Sequence, residues 1–194
     1  SEISVVNENG YRYIYGLPVY NILQKEVSFR LHPDSKPNSN GFVTYNDDDN
    51  SVYNQNGCDN LYDATIKPPY AYAYMLTGLL SPDYQDRLGD GITPDDFGQA
   101  IKFNYLLADN SFKWRMPKEE NQANFDEGIK SNNYDNRGSY IYGEKEVVYI
   151  QSIETKTHIA IFEYVNRNDV FEVKNENGGK DDDGYNMKTL KSIT

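Results

Sequence analysis

The chain has a single cysteine and little positive charge. Cys58 is the only cysteine in 194 residues, so no disulfide can form within the chain. Its neighbours Gly57 and Asp59 carry no positive charge that would favour a reactive thiolate, so we expect no catalytic thiol. Lysine and arginine number 19 against 30 acidic residues, which gives a formal net charge of −11. Nucleic acids and anionic membranes attract basic surfaces, so we expect neither as a partner.

Long hydrophobic runs are also missing. A membrane-spanning helix needs about 20 consecutive apolar residues, and no segment approaches that length. Residues 1–10 (SEISVVNENG) lack the charged start and apolar core of an export signal. We therefore predict no membrane span in this segment, and we expect any export signal to lie outside it.

Aromatic residues are abundant, and tyrosine is the commonest of them. They make up 14% of the chain, with 18 tyrosines, and rings with polar tips suit half-buried positions in a sheet. Residues 26–31 (EVSFRL) place Val27, Phe29 and Leu31 on one face, which predicts a half-buried strand. We also predict a strand over residues 70–80 (YAYAYMLTGLL). The composition favours a mainly β fold.

Glycine, proline and polar residues predict interruptions in these strands. Pro18 is predicted to redirect the chain after a strand at Tyr11–Tyr15, and a polar loop is predicted beyond Tyr105. Gly143 is predicted to split the segment around it into two strands. Residues 121–130 (NQANFDEGIK) are predicted to form a helical turn or two.

A four-residue pattern occurs three times, as an aliphatic, a variable, a small and a second aliphatic residue. The first two copies are each followed by F-x-Y, so the repeated unit is a strand, a turn and a second strand. A lone hairpin cannot bury its apolar face, so we expect antiparallel hairpins to form an extended or curled sheet with long polar loops. The copies are Leu76–Leu79, Ile150–Ile153 and Leu190–Ile193, and the F-x-Y segments are Phe103–Tyr105 and Phe162–Tyr164.

The third copy is cut off after Ile193. The sequence therefore predicts one β-rich module over residues 1–194 that is a fragment of a longer repeat-containing protein, with neighbouring repeats of the same polypeptide as partners.

Acidic residues cluster around glycines in the loop between residues 83 and 96. The spacing D-x-x-x-D-G lets two carboxylates, those of Asp86 and Asp90, converge with the main-chain carbonyl of Ile92. Asp95 or Asp96 would supply a further oxygen. Calcium is bound by six to eight such oxygens, so these five residues are the candidate calcium ligands.

The loop departs from known calcium loops of the type D-x-[DN]-x-D-G-x-x-D at two positions. Leu88 stands where an oxygen ligand is expected, and Pro94 stands where the last acid would fall. Magnesium fits less well because it demands octahedral geometry. The alternative is a solvated acidic turn without a cation.

The sequence shows no catalytic site. His32 and His158 lie far apart and lack zinc-site spacing, and no G-x-S-x-G nucleophile motif is present. Acidic residues are too numerous to support or exclude a glycosidase pair. Exposed tyrosines and Trp114 could stack on sugar rings, so a secreted carbohydrate-binding or glycan-processing domain is the alternative function. Ordinary sheet packing is the simpler role for Tyr70, Tyr72 and Tyr74.

Several phrases that together cover most of the chain match a known family. They are YIYGLPVYN (13–21), QKEVSF (24–29), SPDYQD with GDGITPDD (81–96), IKFNY (101–105), YIYGEKE (140–146) and SIETKTHIAIF (152–162). These phrases and the hairpins ending in F-x-Y resemble the Rhs/YD-repeat superfamily, and in particular segments of large secreted surface proteins of Bacteroidetes-type bacteria. The resemblance implies an extended β-sheet building block that curls into a shell in Rhs relatives.

The sequence and the resemblance together predict a noncatalytic structural or interaction module of an exported surface or toxin-shell protein. We expect it to be secreted or on the cell surface, with protein or glycan partners there and a calcium-stabilised loop.

Overall fold

The computed structural model describes residues 2–194 and is almost entirely β. Strand accounts for 56% of the chain and helix for 2%, which confirms the predicted fold class. One turn of 3-10 helix lies at Asn133–Asp135. The strands are β1 (Ile3–Val6), β2 (Arg12–Arg30), β3 (Phe42–Thr44), β4 (Tyr62–Lys67), β5 (Tyr70–Leu80), β6 (Ala100–Met116), β7 (Gln122–Asp126), β8 (Arg137–Glu154), β9 (Ile159–Phe171) and β10 (Asn186–Ile193).

All ten strands belong to one antiparallel sheet. Its main path runs β1-β2-β5-β6-β8-β7-β3, with β4 added beside β2 and with β9 and β10 added beyond β8. The first half of β2 pairs with β5 and the second half pairs with β8. The long strands β2 and β8 therefore connect a region of stacked hairpins at one end to a packed core at the other.

The predicted break at Pro18 is wrong. β2 continues through this residue, and Pro18 lies opposite Tyr74 of β5. Shifts of register on both sides of Leu17 absorb the irregularity without ending the strand. A β-bulge leaves one residue unpaired, which lets a strand accept residues that would otherwise interrupt the ladder.

The predicted interruptions at Tyr105 and Gly143 are also wrong. β6 passes Tyr105 as one strand that follows β8 through register shifts near Asp109. β8 passes Gly143 without a break, because the ring of Trp114 lies directly over this glycine. A Cβ added at Gly143 would lie 2.7 Å from atoms of the indole. The glycine therefore makes room for an aromatic neighbour and does not end the strand.

Residues 121–130 contain β7 and not the predicted helical turn. Asn124 pairs with both Phe42 of β3 and Ser139 of β8, so β7 lies between two strands. Ala123 is fully buried in the core. Ladder partners on both sides outweigh the weak helical preference of this segment.

The core lies at the end of the sheet where β2, β3, β7 and β8 meet. The predicted inward face of Val27, Phe29 and Leu31 is confirmed, because all three side chains are buried. The core residues are Val27, Phe29, Leu31, Val43, Tyr45, Ala123, Tyr140, Tyr142 and Val173.

Two polar side chains attach the long loops to this core. Asn54 is buried in the loop before β4, and its amide donates to the carbonyls of Arg30 and Asp49 at 2.8 and 2.7 Å. Arg115 of β6 is also buried and donates 2.6 Å to the carbonyl of Glu176 in the segment after β9. Both loops are thereby held against the sheet.

The molecule exposes more surface than a compact protein of its length would. The accessible area is 11684 Å², whereas a compact monomer of this length exposes about 9,400 Å². Leu106, Leu107 and Ile161 are between 46% and 53% exposed although they lie in strands. The molecule is therefore an extended sheet with a core at one end.

Candidate functional site

The acidic loop between β5 and β6 brings three of the predicted ligands together. One carboxylate oxygen from each of Asp86, Asp90 and Asp96 lies within 4.8 Å of the others. Asp86 and Asp90 are exposed, whereas Asp96 is buried. A cluster of this kind offers hard oxygen donors facing a common point, which is the donor type that calcium prefers.

Asp86 shapes the turn that carries this cluster. One of its oxygens accepts main-chain hydrogen bonds from Leu88 and Gly89 at 3.2 and 2.6 Å, and the other accepts from Gly91 at 3.0 Å. Gly89 and Gly91 have φ angles of 75° and 92°, a region that glycine adopts without strain. The glycines of the sequence motif therefore serve the turn itself.

Asp96 closes the other side of the loop. Its carboxylate accepts from the main-chain N–H groups of Thr93 and Arg87 at 2.9 and 3.2 Å, and from the hydroxyl of Tyr84 at 2.7 Å. These hydrogen bonds, first those from Thr93 and then that from Tyr84, lower the pKa of Asp96. The pKa of Tyr84 is raised by burial and by the nearby carboxylate. Asp96 is thus an ionised, structural acceptor.

Asp95 is placed differently from the other predicted carboxylate ligands. It is not part of the cluster, and its carboxylate accepts instead from the hydroxyl of Thr93 at 2.7 Å. The side chain of Ile92 packs against Gly78 of β5, where an added Cβ would lie 2.8 Å from it, and its main-chain carbonyl stays a predicted ligand. Of the four predicted carboxylates, the structure therefore brings together those of Asp86, Asp90 and Asp96.

The carboxylates of the cluster are already used to order the loop. Asp86 and Asp96 accept main-chain N–H groups on both of their oxygens. A bound cation would use the remaining lone pairs, and calcium needs about six to eight oxygens, of which the cluster supplies three side chains. Calcium binding at this loop stays a prediction.

A lysine that the sequence motif did not indicate also holds this loop. The ammonium group of Lys156, in the turn between β8 and β9, donates a hydrogen bond to the main-chain carbonyl of Asp96. The long loop of one hairpin is therefore attached to the short turn of the next. Only the pairing of the strands brings Lys156 to this position.

The two histidines lie at opposite ends of β8. His32 follows Leu31, whose N–H bonds to Asn136 just before β8, and His158 lies in the turn after β8. β8 has 18 residues, and at about 3.3 Å per residue its ends are on the order of 50 Å apart. These histidines cannot act on one substrate atom together.

The aromatic residues suggested for sugar stacking make contacts within the sheet. Tyr70 donates its hydroxyl to Gln24 and Tyr72 donates to the carbonyl of Glu146, each at 3.0 Å. Both side chains keep more than 40% of their surface exposed. Part of the ring of the half-buried Trp114 packs against Gly143. Sheet packing accounts for these contacts, and the exposed ring surfaces remain available to a ligand.

The repeated motif forms the same ladder three times. Each copy pairs with an aromatic-x-aromatic segment of a strand earlier in the chain, and the register is the same in all three pairs. The second aliphatic residue of the motif lies opposite the first aromatic residue of the partner segment. The small residue of the motif lies opposite the residue between the two aromatic ones. The variable residue is left unpaired, which makes a β-bulge at Thr77, Gln151 and Lys191. The paired segments are Leu76–Leu79 with Tyr13–Tyr15, Ile150–Ile153 with Phe103–Tyr105, and Leu190–Ile193 with Phe162–Tyr164.

The hairpins themselves also share one register. The small residue pairs with the residue just before F-x-Y, as Gly78 with Lys102 and Ser152 with Ile161. The first hairpin is closed by residues 81–99 and the second by residues 155–158 only. Because connections of such different length give the same register, the motif and not the turn sets the pairing.

The tyrosine of F-x-Y completes each hairpin. Beyond the small residue the two strands separate, and the tyrosine hydroxyl bridges the gap. Tyr105 donates to the carbonyl of Leu76 at 2.9 Å, and Tyr164 donates to the carbonyl of Ile150 at 2.8 Å. Both acceptors are the first residue of the four-residue motif. The two parts of the sequence repeat therefore contact each other.

An open groove of about 740 Å³ crosses the hairpins. Three polar residues in its lining bond to one another, since Asn104 donates to Ser152 and Glu154 at 2.9 and 2.6 Å, and Ser152 donates to Glu154 at 3.0 Å. Ser192 and Glu163 make the equivalent contact in the third copy at 2.8 Å. This polar ladder belongs to the repeat, and its groups are largely satisfied within the sheet.

Comparison with known proteins finds no matching family model, no matching curated protein and no matching solved structure. Residues 2–194 contain no helix with the length and apolar character needed to cross a bilayer. The fold defines an antiparallel β-sheet protein made of hairpins that share one register.

Proposed function

We propose that this chain is a noncatalytic structural or interaction module of an exported surface or toxin-shell protein similar to the Rhs/YD-repeat proteins. The observation that carries the proposal is the register shared by the three motif copies. Each unit contributes strands to one sheet and depends on its neighbours for burial, as expected for a building block.

The distribution of polar groups supports a scaffold over a catalyst. His32 and His158 lie at opposite ends of a long strand, and the polar residues of the open groove bond to one another. A catalytic site needs a nucleophile or an acid close to a partner side chain in the same cleft, and that partner must not be engaged in other hydrogen bonds. The neighbours of this module are further repeats of the same polypeptide, with protein or glycan partners at the cell surface.

The proposal is tested on cells that make the protein. Intact cells are treated with protease or with a membrane-impermeant amine reagent, and the lysines of this module are followed by mass spectrometry. Modification of exposed lysines such as Lys36 on intact cells is the expected result. Protection equal to that of a cytoplasmic marker would contradict an exported location.

A carbohydrate-binding function is the second candidate, because Tyr70 and Tyr72 are 42% and 44% exposed. Flat aromatic surfaces stack on sugar rings, and the neighbouring polar groups can orient a ligand. A glycan array with the intact chain and with Trp114→Ala and Tyr70→Ala variants separates the two functions. Binding that these substitutions abolish would favour the glycan role.

A further inference from the structure

The outer edge of β10 is open in the part of the chain that the structure describes. β10 pairs with β9 alone. The N–H and C=O of Thr194 both bond to Ile161, at 3.0 and 2.8 Å. Because the bonding direction alternates along an antiparallel strand, the N–H and C=O of Ile193 point to the open side. An edge of this kind can accept another strand.

The two earlier copies of the motif show how this edge is filled. In the first copy, Gly78 and Leu79 pair on their second side with Lys102 and Ile101 of β6. In the second copy, the equivalent residues Ser152 and Ile153 pair with Ile161 and Ala160 of β9. The incoming strand therefore takes the same register in both copies, and the pair Ser192–Ile193 presents the third such edge.

The side chains of the third copy are exposed where the filled copies are covered. Leu190 and Ile193 are 48% and 55% exposed, whereas Leu76 and Leu79 in the first copy are half-buried. Ile150 and Ile153 of the second copy are also half-buried. A strand beside β10 would cover this apolar surface, which favours its docking.

Comparison of the Leu190 carbonyl with its counterparts in the other two copies indicates which sequence fits this edge. The corresponding carbonyls of Leu76 and Ile150 each accept the hydroxyl of a tyrosine from the strand that fills the edge. Among residues 2–194 no tyrosine hydroxyl bonds to the carbonyl of Leu190. The bulge at Lys191 shifts the register of β10, and bulges and lysines on an edge disfavour indiscriminate pairing. These features favour a specific partner strand at this edge.

We propose that the open edge of β10 is a strand-acceptor site for an extended peptide segment carrying F-x-Y, which places its tyrosine hydroxyl on the carbonyl of Leu190. This inference rests on the proposed structural role and names the kind of partner that the module takes. The residue before F-x-Y pairs with Ser192, and main-chain hydrogen bonds supply the affinity, as in other cases of strand addition.

The test uses the intact chain and a fluorescent peptide of residues 157–167 (THIAIFEYVNR), followed by fluorescence anisotropy. We expect saturable binding of this peptide and none of a scrambled one. The peptide with Tyr164→Phe should bind about fivefold more weakly, the equivalent of one hydrogen bond of about 1 kcal/mol. Equal binding of the native, scrambled and Tyr164→Phe peptides would overturn the proposal.

A matched pair of variants at Ile193 tests the edge itself. Ile193→Pro removes the N–H that points to the open side, and proline is tolerated on edge strands. Ile193→Ala shortens the side chain but keeps the N–H. We expect the proline variant to lose at least tenfold in peptide affinity and the alanine variant to lose less than threefold, with both melting as cooperatively as the parent.

Measuring the oligomeric state distinguishes binding of an F-x-Y peptide from self-association of the chain. Analytical ultracentrifugation should show a monomer that binds one peptide. A dimer that Ile193→Pro dissociates, and that the peptide does not compete with, would replace the proposed partner by self-association. Failure of peptide binding leaves the surface-labelling result unaffected, so the strand-acceptor proposal and the structural role fail separately.

Discussion

The hydroxyl oxygen of Tyr164 lies 2.8 Å from the carbonyl oxygen of Ile150, and this contact repeats the one between Tyr105 and Leu76. In both hairpins the tyrosine spans the gap that opens where the two strands separate. A main-chain carbonyl that would otherwise lack a partner at this gap is thereby satisfied. The contact links the two halves of the repeated unit.

Removing this hydroxyl should destabilise the hairpins. Tyr105→Phe and Tyr164→Phe keep the ring but lose the hydrogen bond, and each should lower the free energy of unfolding by about 1 kcal/mol. Urea denaturation measures the change. Tyr53→Phe is the control because this ring is 78% exposed, and it should stay within about 0.5 kcal/mol of the parent. Equal stability of all three variants would count against a structural role for F-x-Y.

Gly143 should not tolerate a side chain while Trp114 is present. An added Cβ would lie 2.7 Å from the indole, so Gly143→Ala should cost about 1–3 kcal/mol through overpacking. Trp114 is the only tryptophan, so its fluorescence reports the displacement directly. In a Trp114→Leu background the same substitution should cost less. An identical cost in both backgrounds would place the strain elsewhere.

The buried amide of Asn54 should contribute strongly to the loop before β4. Asn54→Ala leaves the carbonyls of Arg30 and Asp49 without this donor, and buried unsatisfied groups cost about 1–3 kcal/mol. Thermal melting measures the loss. The adjacent exposed Gln55→Ala is the control and should be nearly neutral. A neutral Asn54→Ala would mean that water replaces the amide.

Calcium, if bound, should raise the melting temperature. A ligand at about 100 times its Kd stabilises a protein by about 2.7 kcal/mol, and each 1 kcal/mol shifts Tm by about 2–4 °C for a chain of this size. Calorimetry with calcium, magnesium and chelator measures this shift. The variant Asp86→Asn with Asp90→Asn should abolish it, whereas Asp47→Asn with Asp48→Asn should not. Identical midpoints in calcium and chelator would rule out a stabilising ion.

Acid should loosen the same loop. The pKa of Asp96 is lowered by hydrogen bonds from Thr93 and Tyr84, so its stabilisation is present above the unfolded-state pKa of about 4 and is lost as pH falls through the folded-state value. Hydrogen exchange of residues 84–97 should therefore accelerate as pH is lowered below about 4, after correction for intrinsic rates. Asp96→Asn should show fast exchange already at pH 7. Exchange unaffected by acid would show that the charge of Asp96 does not hold the loop.

The local patterns of the sequence were sufficient to predict the fold class and the repeated units. The alternation of Val27, Phe29 and Leu31 predicted the buried face because strand geometry places every second side chain on one side. The repeated motif predicted hairpins without any knowledge of their pairing. The repeat also has an earlier partner at Tyr13–Tyr15, which the aromatic-x-tyrosine spacing could have indicated.

The loop between β5 and β6 shows how much of a candidate site can be predicted from side-chain type and spacing. Asp86 and Asp90 were predicted to converge with Asp95 or Asp96, and the structure brings Asp96 to them. Asp95 turns away to Thr93, and which of two adjacent acids faces inward depends on the dihedral angles of the turn. Spacing in the sequence does not fix those angles.

The sequence by itself determined that this protein is a β-sheet built from repeated hairpins, because alternation and motif spacing act over a few residues. Tertiary pairing decided where the strands end. Pro18, the polar residues after Tyr105, and Gly143 all weaken a strand in isolation, yet each lies within a continuous strand. At each of these places a neighbouring strand supplies hydrogen bonds, and at Gly143 it also supplies the aromatic ring of Trp114, so the strand continues. These neighbouring strands come from distant parts of the chain, which local sequence patterns do not reveal.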